Sequence, residues 1–142
     1  MDAINEVDID VAYYRKIKQG FDVKNEEGQI IKNENITFPP KKPKSYGFCS
    51  DTAYNESIIP IIKEVTLLYH ESTFIDKHAK LAGPTKHSTA KQAALLAKKA
   101  NVGTLMLGHY STRYDDLSVF KTEAQLIFEK VELSRDGMVY QI

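Results

Sequence analysis

The chain has 142 residues, 42% of them hydrophobic and 27% charged, which is typical of one globular domain or part of one. Its 19 basic and 19 acidic residues balance, so the net charge gives no indication of nucleic acid and any polyanion site would have to be local. No apolar stretch approaches the roughly 18 residues of a membrane span, and the first residues lack a signal-peptide pattern. The single cysteine, Cys49, excludes an internal disulfide framework and is expected to be a buried structural thiol. These features predict a cytoplasmic protein that does not span a membrane.

The first 45 residues differ in pattern from the rest. Residues 8–19 have the apolar spacing of a short helix, with Asp8 or Asp10 as its cap and Gly20 as its end. Residues 29–31 favour a small strand. Residues 39–44 contain three prolines and three lysines and predict a stiff basic connector, which is better interpreted as a solvated linker than as a phosphate contact. We therefore predict a division into an N-terminal helix and connector, 1–45, and a main region, 46–142.

The main region alternates between strand and helix patterns and predicts an α/β fold. Short apolar runs indicate buried strands at 46–51, 65–71 and 102–109. The alanine-rich segment 89–101 is the clearest helix, because Thr89 and Gln92 have the spacing of a capping box. Weaker patterns predict helices at 55–63, at 74–81 with Gly83-Pro84 as its end, and at 122–130, followed by a hairpin of 131–133 and 138–142.

Polar residues stand at the ends of these predicted strands. Asp51, the pair His70-Glu71, and His109 each follow an apolar run, and His87 comes just before the capped helix. Because the carboxyl ends of parallel strands meet at one edge of a sheet, such residues converge where ligands bind and catalysis occurs. The pattern indicates a metal or hydrolytic site.

Each of these residues also has a simpler interpretation. Asp51 could bridge two cations, but local signals favour a helix N-cap. His109 could ligate a metal, with Gly108 allowing a sharp backbone turn, or it could be a hydrogen-bonded loop residue. A carboxylate such as Glu71 can orient and charge His87 as a proton donor, whereas a structural histidine is the alternative.

Two further polar residues carry less information. Arg113 could bind a phosphate through its bidentate guanidinium or form an ion pair with Asp115 or Asp116. His78 lies in the middle of a predicted surface helix and is assigned no role.

Four segments together resemble ribonuclease Z, the family of tRNA 3′-processing endonucleases in the metallo-β-lactamase superfamily. Residues 50–52 (Ser-Asp-Thr) resemble its strand-end Asp-Thr motif, and residues 70–73 (His-Glu-Ser-Thr) resemble its His-Glu-Ala-Thr motif, with Ser72 in place of alanine. Residues 87–89 resemble its His-Ser-Thr motif, and residues 109–114 its terminal His-x-Ser-x-Arg-Tyr segment. The order and the spacing of all four match the family.

The resemblance implies a zinc-dependent endoribonuclease that removes 3′ trailers from precursor tRNA. In that family's arrangement Asp51 would bridge two zinc ions and His109 would ligate one of them. His87, supported by Glu71, would assist proton transfer to the leaving 3′ oxygen. Ser111 and Arg113 would contact phosphates of the tRNA.

The family's His-x-His-x-Asp-His loop, a further histidine ligand and its protruding tRNA-binding arm have no counterpart in this sequence. The resemblance therefore implies the C-terminal half of a four-layer αββα sandwich: one mixed sheet with covering helices and an apolar face toward a missing N-terminal half. Such a half would hold zinc incompletely, would be inactive alone, and would belong to a homodimer when full length. The alternatives are another phosphodiesterase or arylsulfatase-like hydrolase of this fold, or a non-catalytic half-domain for dimerisation or binding.

Overall fold

The computed structural model describes residues 9–142, so the predicted cap Asp8 lies outside the described residues. Backbone contacts divide the chain into a smaller unit that ends at Pro43 and a larger unit, Lys44–Ile142. The sequence predicted a division after residue 45. All the predicted site residues lie in the larger unit.

The smaller unit is a short helix followed by a hairpin. The Asp10 carboxylate caps a 3₁₀ turn by accepting a hydrogen bond from the Ala12 N–H at 2.9 Å, and Gly20, at φ +89°, follows the helix. The predicted helix and small strand are confirmed. The elements are a 3₁₀ turn at Val11–Tyr13, α1 at Tyr14–Lys18, strands β1 at Val23–Lys24 and β2 at Ile30–Ile31, which pair antiparallel, and a 3₁₀ turn at Asn33–Asn35.

The larger unit is built on a four-stranded sheet whose strands follow one another in chain order. Every neighbouring pair is parallel, so the carboxyl ends of all four strands meet at one edge. The predicted α/β class is confirmed, but the expected mixed sheet is wrong. The strands are β3 at Tyr46–Cys49, β4 at Leu67–Glu71, β5 at Thr104–Gly108 and β6 at Val131–Leu133.

The predicted C-terminal hairpin is also wrong. The turn itself forms, since Gly137 has φ +78° and the Met138 N–H donates to the Arg135 carbonyl, but no strand follows it. The last residues are held by side chains instead: the Tyr140 hydroxyl bonds to Glu132, and a Lys44 amine donates to the carbonyl of Ile142. A turn sequence reverses the chain but does not by itself pair the flanking segments.

Four short helices complete the larger unit. Two of them follow 3₁₀ turns at Glu56–Ile58 and Asp76–His78. None of the helices among residues 9–142 has the length and apolar content needed to cross a membrane. The helices are α2 at Ile59–Ile62, α3 at Ala79–Thr85, α4 at Ala90–Lys99 and α5 at Ser118–Gln125.

Several predicted helix boundaries are wrong: the helices expected at 55–63, 74–81 and 122–130 are Ile59–Ile62, Ala79–Thr85 and Ser118–Gln125. Helix α3 runs through Gly83-Pro84, which were expected to end it, and stops after Thr85, where Lys86 takes a left-handed φ of +58°. A proline so close to the end removes only one helical hydrogen bond. Helix α5 begins at Ser118 rather than at residue 122, and the Asp116 carboxylate just before it accepts both the N–H and the hydroxyl of Ser118.

Helix α4 covers one face of the sheet. Its capping box is present: the Thr89 hydroxyl accepts from the Gln92 N–H at 3.1 Å, and the Gln92 amide oxygen accepts from the Thr89 N–H at 2.9 Å. The small side chains of its buried face allow the helix to lie close to the strands. Packing and cap together fix where the preceding segment, with His87, meets the sheet edge. The buried cluster includes Ala90, Ala93, Ala94, Ala97, Leu68, Leu105, Leu107 and Val131.

The other face of the sheet carries aromatic side chains. Strand alternation places Tyr46, Phe48 and Tyr69 there. The rings of Phe48 and Tyr69 stack with centroids 4.8 Å apart, and Tyr46 and Phe48 are 52% and 64% exposed. This face therefore exposes aromatic side chains, and its packing against a missing N-terminal half stays a prediction.

The single cysteine has no catalytic environment. Cys49 is half-buried at the end of β3 and packs against the core. Burial raises the pKa of its thiol, which disfavours the reactive thiolate. The thiol was expected to be buried but is only partly so, and its structural role stays a prediction.

We expect Thr89→Val to lower the free energy of unfolding by about 1–2 kcal/mol, because the isosteric side chain cannot accept the hydrogen bond that starts α4. Denaturant unfolding followed by circular dichroism measures this. The matched control is Thr122→Val, at an exposed position of α5, which should change stability by less than about 0.5 kcal/mol. Equal losses in the two variants would contradict the role of the cap.

Candidate metal centre

The carboxyl edge of the sheet brings Asp51 and His109 to adjacent positions. Asp51 lies two residues beyond β3, and His109 directly follows β5. Both take left-handed backbone angles, φ +48° and +58°. Non-glycine residues seldom adopt this conformation, and strained residues of this kind concentrate at functional sites.

The sequence analysis expected Gly108 to allow a sharp backbone turn before His109, and this expectation is wrong. The backbone does not turn at Gly108 itself, since the left-handed angle belongs to His109. A Cβ atom at Gly108 would overlap the Tyr69 hydroxyl and would lie 2.6 Å from the Ser134 hydroxyl oxygen. Gly108 is therefore required by packing.

The alternative interpretation of Asp51 as a helix N-cap is also wrong. The next helical turn begins at Glu56, and its cap is Asn55, whose side chain accepts from the Ser57 N–H at 2.9 Å. The Asp51 carboxylate instead meets His109.

Asp51, His87 and His109 form one compact group. Asp51 Oδ1 lies 3.2 Å from His109 Nε2, and the imidazole rings of His87 and His109 stack with centroids 5.2 Å apart. One potential ligand atom from each of the three lies within 4.8 Å of the others. The side chains of Asp51 and His109 are 71% and 41% exposed, so the group is open to solvent.

This donor set is compatible with a divalent metal ion such as zinc. Zinc binds histidine nitrogen and carboxylate oxygen at about 2.0 Å in tetrahedral geometry, which separates two of its ligands by about 3.3 Å. The 3.2 Å between Asp51 Oδ1 and His109 Nε2 is compatible with that separation, and it is also an ordinary length for their ion pair.

The carboxylate of Glu71 lies beneath this group and is fully buried. Its Oε1 accepts hydrogen bonds from the Thr52 N–H at 2.7 Å and from His87 Nδ1 at 2.9 Å. Its Oε2 accepts from the hydroxyl and the N–H of Thr73, at 2.7 and 3.3 Å, and from the Ser88 N–H at 3.2 Å. Burial by itself raises the pKa of Glu71, but the hydrogen bonds from Thr73, His87 and Ser88 outweigh it and hold the pKa below its usual value.

Glu71 determines which nitrogen of His87 faces the site. An ionised carboxylate only accepts hydrogen bonds, so His87 Nδ1 must carry a proton in its 2.9 Å contact with Glu71. The ring also packs edge-on against Phe74, at 6.4 Å between centroids. His87 Nε2 is then the atom available to a ligand or to a reacting group.

Ser111 and Arg113 lie on the loop that follows His109. The Arg113 Nε–H donates to the Ser111 hydroxyl at 3.1 Å, and the guanidinium lies 5.3 Å from the centre of the Phe74 ring. Within residues 9–142 Arg113 forms no ion pair, and Asp116 accepts from Ser118, so the expected alternative of a pair with Asp115 or Asp116 is wrong. Arg113 therefore presents an exposed cation near the site.

Comparison with known proteins identifies the family. No family model matches the sequence. Ribonuclease Z of Parabacteroides distasonis is 48% identical over 130 residues, which cover 92% of this chain and 43% of that protein. Ribonuclease Z of Cytophaga hutchinsonii is 44% identical over 136 residues, covering 95% and 44%. The chain belongs to the ribonuclease Z family. It spans less than half the length of these curated relatives.

Solved structures agree with this assignment. Human tRNase Z, short form, superposes with a TM-score of 0.50 and 30% identity over 68% of this chain and 31% of its own. The metallo-β-lactamase fold protein YhfI of Bacillus subtilis gives a TM-score of 0.64 with 24% identity, over 68% and 39%. The chain therefore has part of the metallo-β-lactamase fold, as the sequence predicted.

In this member of the ribonuclease Z family, several long-range hydrogen bonds were missed from sequence. Glu123 of α5 accepts hydrogen bonds from the N–H groups of Asp76 and Lys91 and so ties α5 to the start of α4. His78, to which no role was assigned, lies 2.6 Å from the Tyr114 hydroxyl. These partners are 32–47 residues apart, so no local pattern indicates them.

His70 is a further residue without a sequence-based role. It is fully buried beside Glu71, and its Nδ1–H donates to the Glu71 backbone carbonyl at 2.7 Å. Burial lowers its pKa and favours the neutral imidazole. Its contact fixes the backbone at the end of β4.

We expect Glu71→Gln to lower the free energy of unfolding at pH 7 by about 1–3 kcal/mol, because an amide cannot accept all of the buried donors. Denaturant unfolding of the metal-free chain at several pH values measures this, with exposed Glu129→Gln as the control.

The difference in free energy of unfolding between wild type and Glu71→Gln should also depend on pH. The pKa of Glu71 in the folded state lies below the ordinary value of about 4.3. Its ionised form therefore stabilises the fold above that value, and the contribution is lost as the pH falls through the lowered pKa. The difference in free energy of unfolding between wild type and Glu71→Gln should be largest near pH 7 and should decrease below about pH 4. A gap that widens in acid would contradict an ionised Glu71.

Proposed function

We propose that this chain supplies the C-terminal half of the catalytic centre of a ribonuclease Z, a zinc-dependent endoribonuclease that removes 3′ trailers from precursor tRNA. The observation that carries the proposal is the group of Asp51, His87 and His109 above the buried Glu71. The same residues form the motifs that resemble the family, and the relatives matched over most of this chain are named ribonuclease Z.

Asp51 and His109 are the proposed zinc ligands of this chain. The carboxylate has two oxygens and could bridge two ions, and His109 would ligate one of them through Nε2. Bound zinc would lower the pKa of a water molecule toward neutrality and act as a Lewis acid on the phosphate. Zinc needs about four donors, so the remaining ligands would come from the part of the relatives that this chain does not match.

His87 is the proposed proton donor to the leaving 3′ oxygen. Its Nδ1–H is held by Glu71, which leaves Nε2 as the nitrogen that can carry and release a proton. The proton would pass from Nε2, the nitrogen that the hydrogen bond to Glu71 leaves free. A positioned acid of this kind contributes about 10²–10⁴-fold to the rate.

The loop after His109 is the proposed contact with tRNA. Arg113 offers an exposed guanidinium that can bind a phosphate through two hydrogen bonds, and the Ser111 hydroxyl lies beside it. We place the activity in the cytoplasm, where the single thiol of Cys49 remains reduced. The homodimer implied by the resemblance stays a prediction, which sedimentation of the complete enzyme tests.

We expect the 142-residue chain alone to leave precursor tRNA uncut, because part of the ligand set is missing. Joined to the segment of the Parabacteroides distasonis relative that it does not match, it should cleave the 3′ trailer when zinc is added. The assay follows a labelled precursor tRNA, with the relative itself as the positive control. Zinc-dependent cleavage by the chain alone would contradict the expectation. A chimera that holds zinc and hydrolyses a simple phosphodiester but not precursor tRNA would favour another hydrolase of this fold.

In the same chimera, His87→Ala should lower single-turnover cleavage by about 10²–10⁴-fold while the zinc content stays intact. Asp51→Ala should lose both zinc and cleavage, because a bridging carboxylate is shared by two ions. Metal analysis of each purified variant, together with the cleavage assay, separates the two roles. His78→Ala removes an imidazole outside the group and should retain zinc. If His87→Ala also loses its zinc, His87 is a ligand rather than the proton donor.

A further inference from the structure

The hydroxyl of Thr73 lies between two functional groups of the site. Its Oγ1 is 2.7 Å from Glu71 Oε2 and 2.9 Å from His109 Nδ1. Thr73 is buried. Neither the sequence motifs nor the proposed mechanism gives this side chain a role.

The number of protons available decides the direction of these two hydrogen bonds. The Glu71 carboxylate has no proton to give, because it accepts from Thr52, His87 and Ser88 in addition to Thr73. The single hydroxyl proton of Thr73 therefore points to Glu71. The oxygen of Thr73 can then only accept from His109, so the proton of a neutral His109 must be on Nδ1.

The opposite tautomer of His109 is disfavoured by the same geometry. A proton on Nε2 could bond to Asp51 Oδ1 at 3.2 Å, but that carboxylate is largely exposed and its attraction is screened. It would also leave two lone pairs, on Nδ1 and on the Thr73 oxygen, facing each other at 2.9 Å in a buried setting. The Nδ1–H tautomer in turn places the Nε2 lone pair opposite Asp51 Oδ1, but that contact is longer, at 3.2 Å, and largely exposed, so water and rotation of the carboxylate relieve it. The buried contact with Thr73 therefore prevails.

We infer that Thr73 is a positioning residue that fixes His109 in its Nδ1–H tautomer and links it through Glu71 to His87. One buried carboxylate then orients both imidazoles: His87 directly, and His109 through a hydroxyl. The lone pair of His109 Nε2 is left facing Asp51, ready to bind a metal ion. The interpretation of His109 as a ligand rests on the proposed function, but the tautomer is a property of this chain.

Nitrogen-15 NMR of the histidine rings tests the inference on the metal-free 142-residue chain at about pH 8.5, above the ordinary histidine pKa of about 6.5. His109→Gln assigns the signals. In the wild type and in Thr73→Ser, which keeps the hydroxyl, the proton of His109 should be on Nδ1. In Thr73→Val, which keeps the shape without the hydroxyl, it should move to Nε2, where Asp51 accepts it. His87, bonded directly to Glu71, should keep its Nδ1 proton in all three and serves as the internal control.

A wild-type His109 protonated on Nε2 would overturn the inference, as would a Thr73→Val chain with an unchanged tautomer. Should Thr73→Val not fold, the wild type and Thr73→Ser still decide, because both must carry the proton on Nδ1. The proposed function fails separately: a chimera that binds no zinc or cuts no tRNA refutes that proposal and leaves the tautomer as measured.

Discussion

The charge of Glu71 is buried at the point where three segments of the chain meet, and the geometry of the site depends on it. A buried carboxylate is stable only when donors surround it. Here the donors come from Thr52 after β3, from Thr73 after β4, and from His87 and Ser88 before α4. The three segments are therefore positioned relative to one another because all of them donate hydrogen bonds to the same carboxylate.

The fold supplies the frame in which this charge can act. Because all four strands are parallel and lie in chain order, consecutive strands deliver their final residues to the same edge. The alanines of α4 allow it to pack closely on the sheet, and the Thr89 cap determines where the helix begins. Glu123 then ties α5 to the N–H groups of Asp76 and Lys91. The position of His87 thus follows from helix packing as much as from its own hydrogen bond.

Sequence patterns predicted the features that depend on near neighbours. The strands, the Thr89–Gln92 cap and the placement of polar residues at strand ends all follow from periodicity, propensity and local hydrogen bonding. The prediction that β3 is buried was wrong, since Tyr46 and Phe48 are 52% and 64% exposed. Features set by distant contacts were not predictable in this way. Gly108 is required by packing against Tyr69, 39 positions earlier in the chain, and Thr73 meets His109 across 36 positions. The prediction of a C-terminal hairpin was wrong for the same reason, since a turn sequence does not determine whether the segments on either side of it pair as strands.

The left-handed backbone at Asp51 and His109 has an evolutionary consequence. Each such residue costs of order 1–3 kcal/mol unless its surroundings compensate, and a glycine at position 109 would adopt the same angle without that cost. The chain thus holds two of its candidate functional residues in backbone conformations that lower its free energy of unfolding. Selection for thermal stability alone would favour replacements at these two positions and would therefore remove residues of the candidate metal centre first. Such a trade-off between stability and activity is common at active centres.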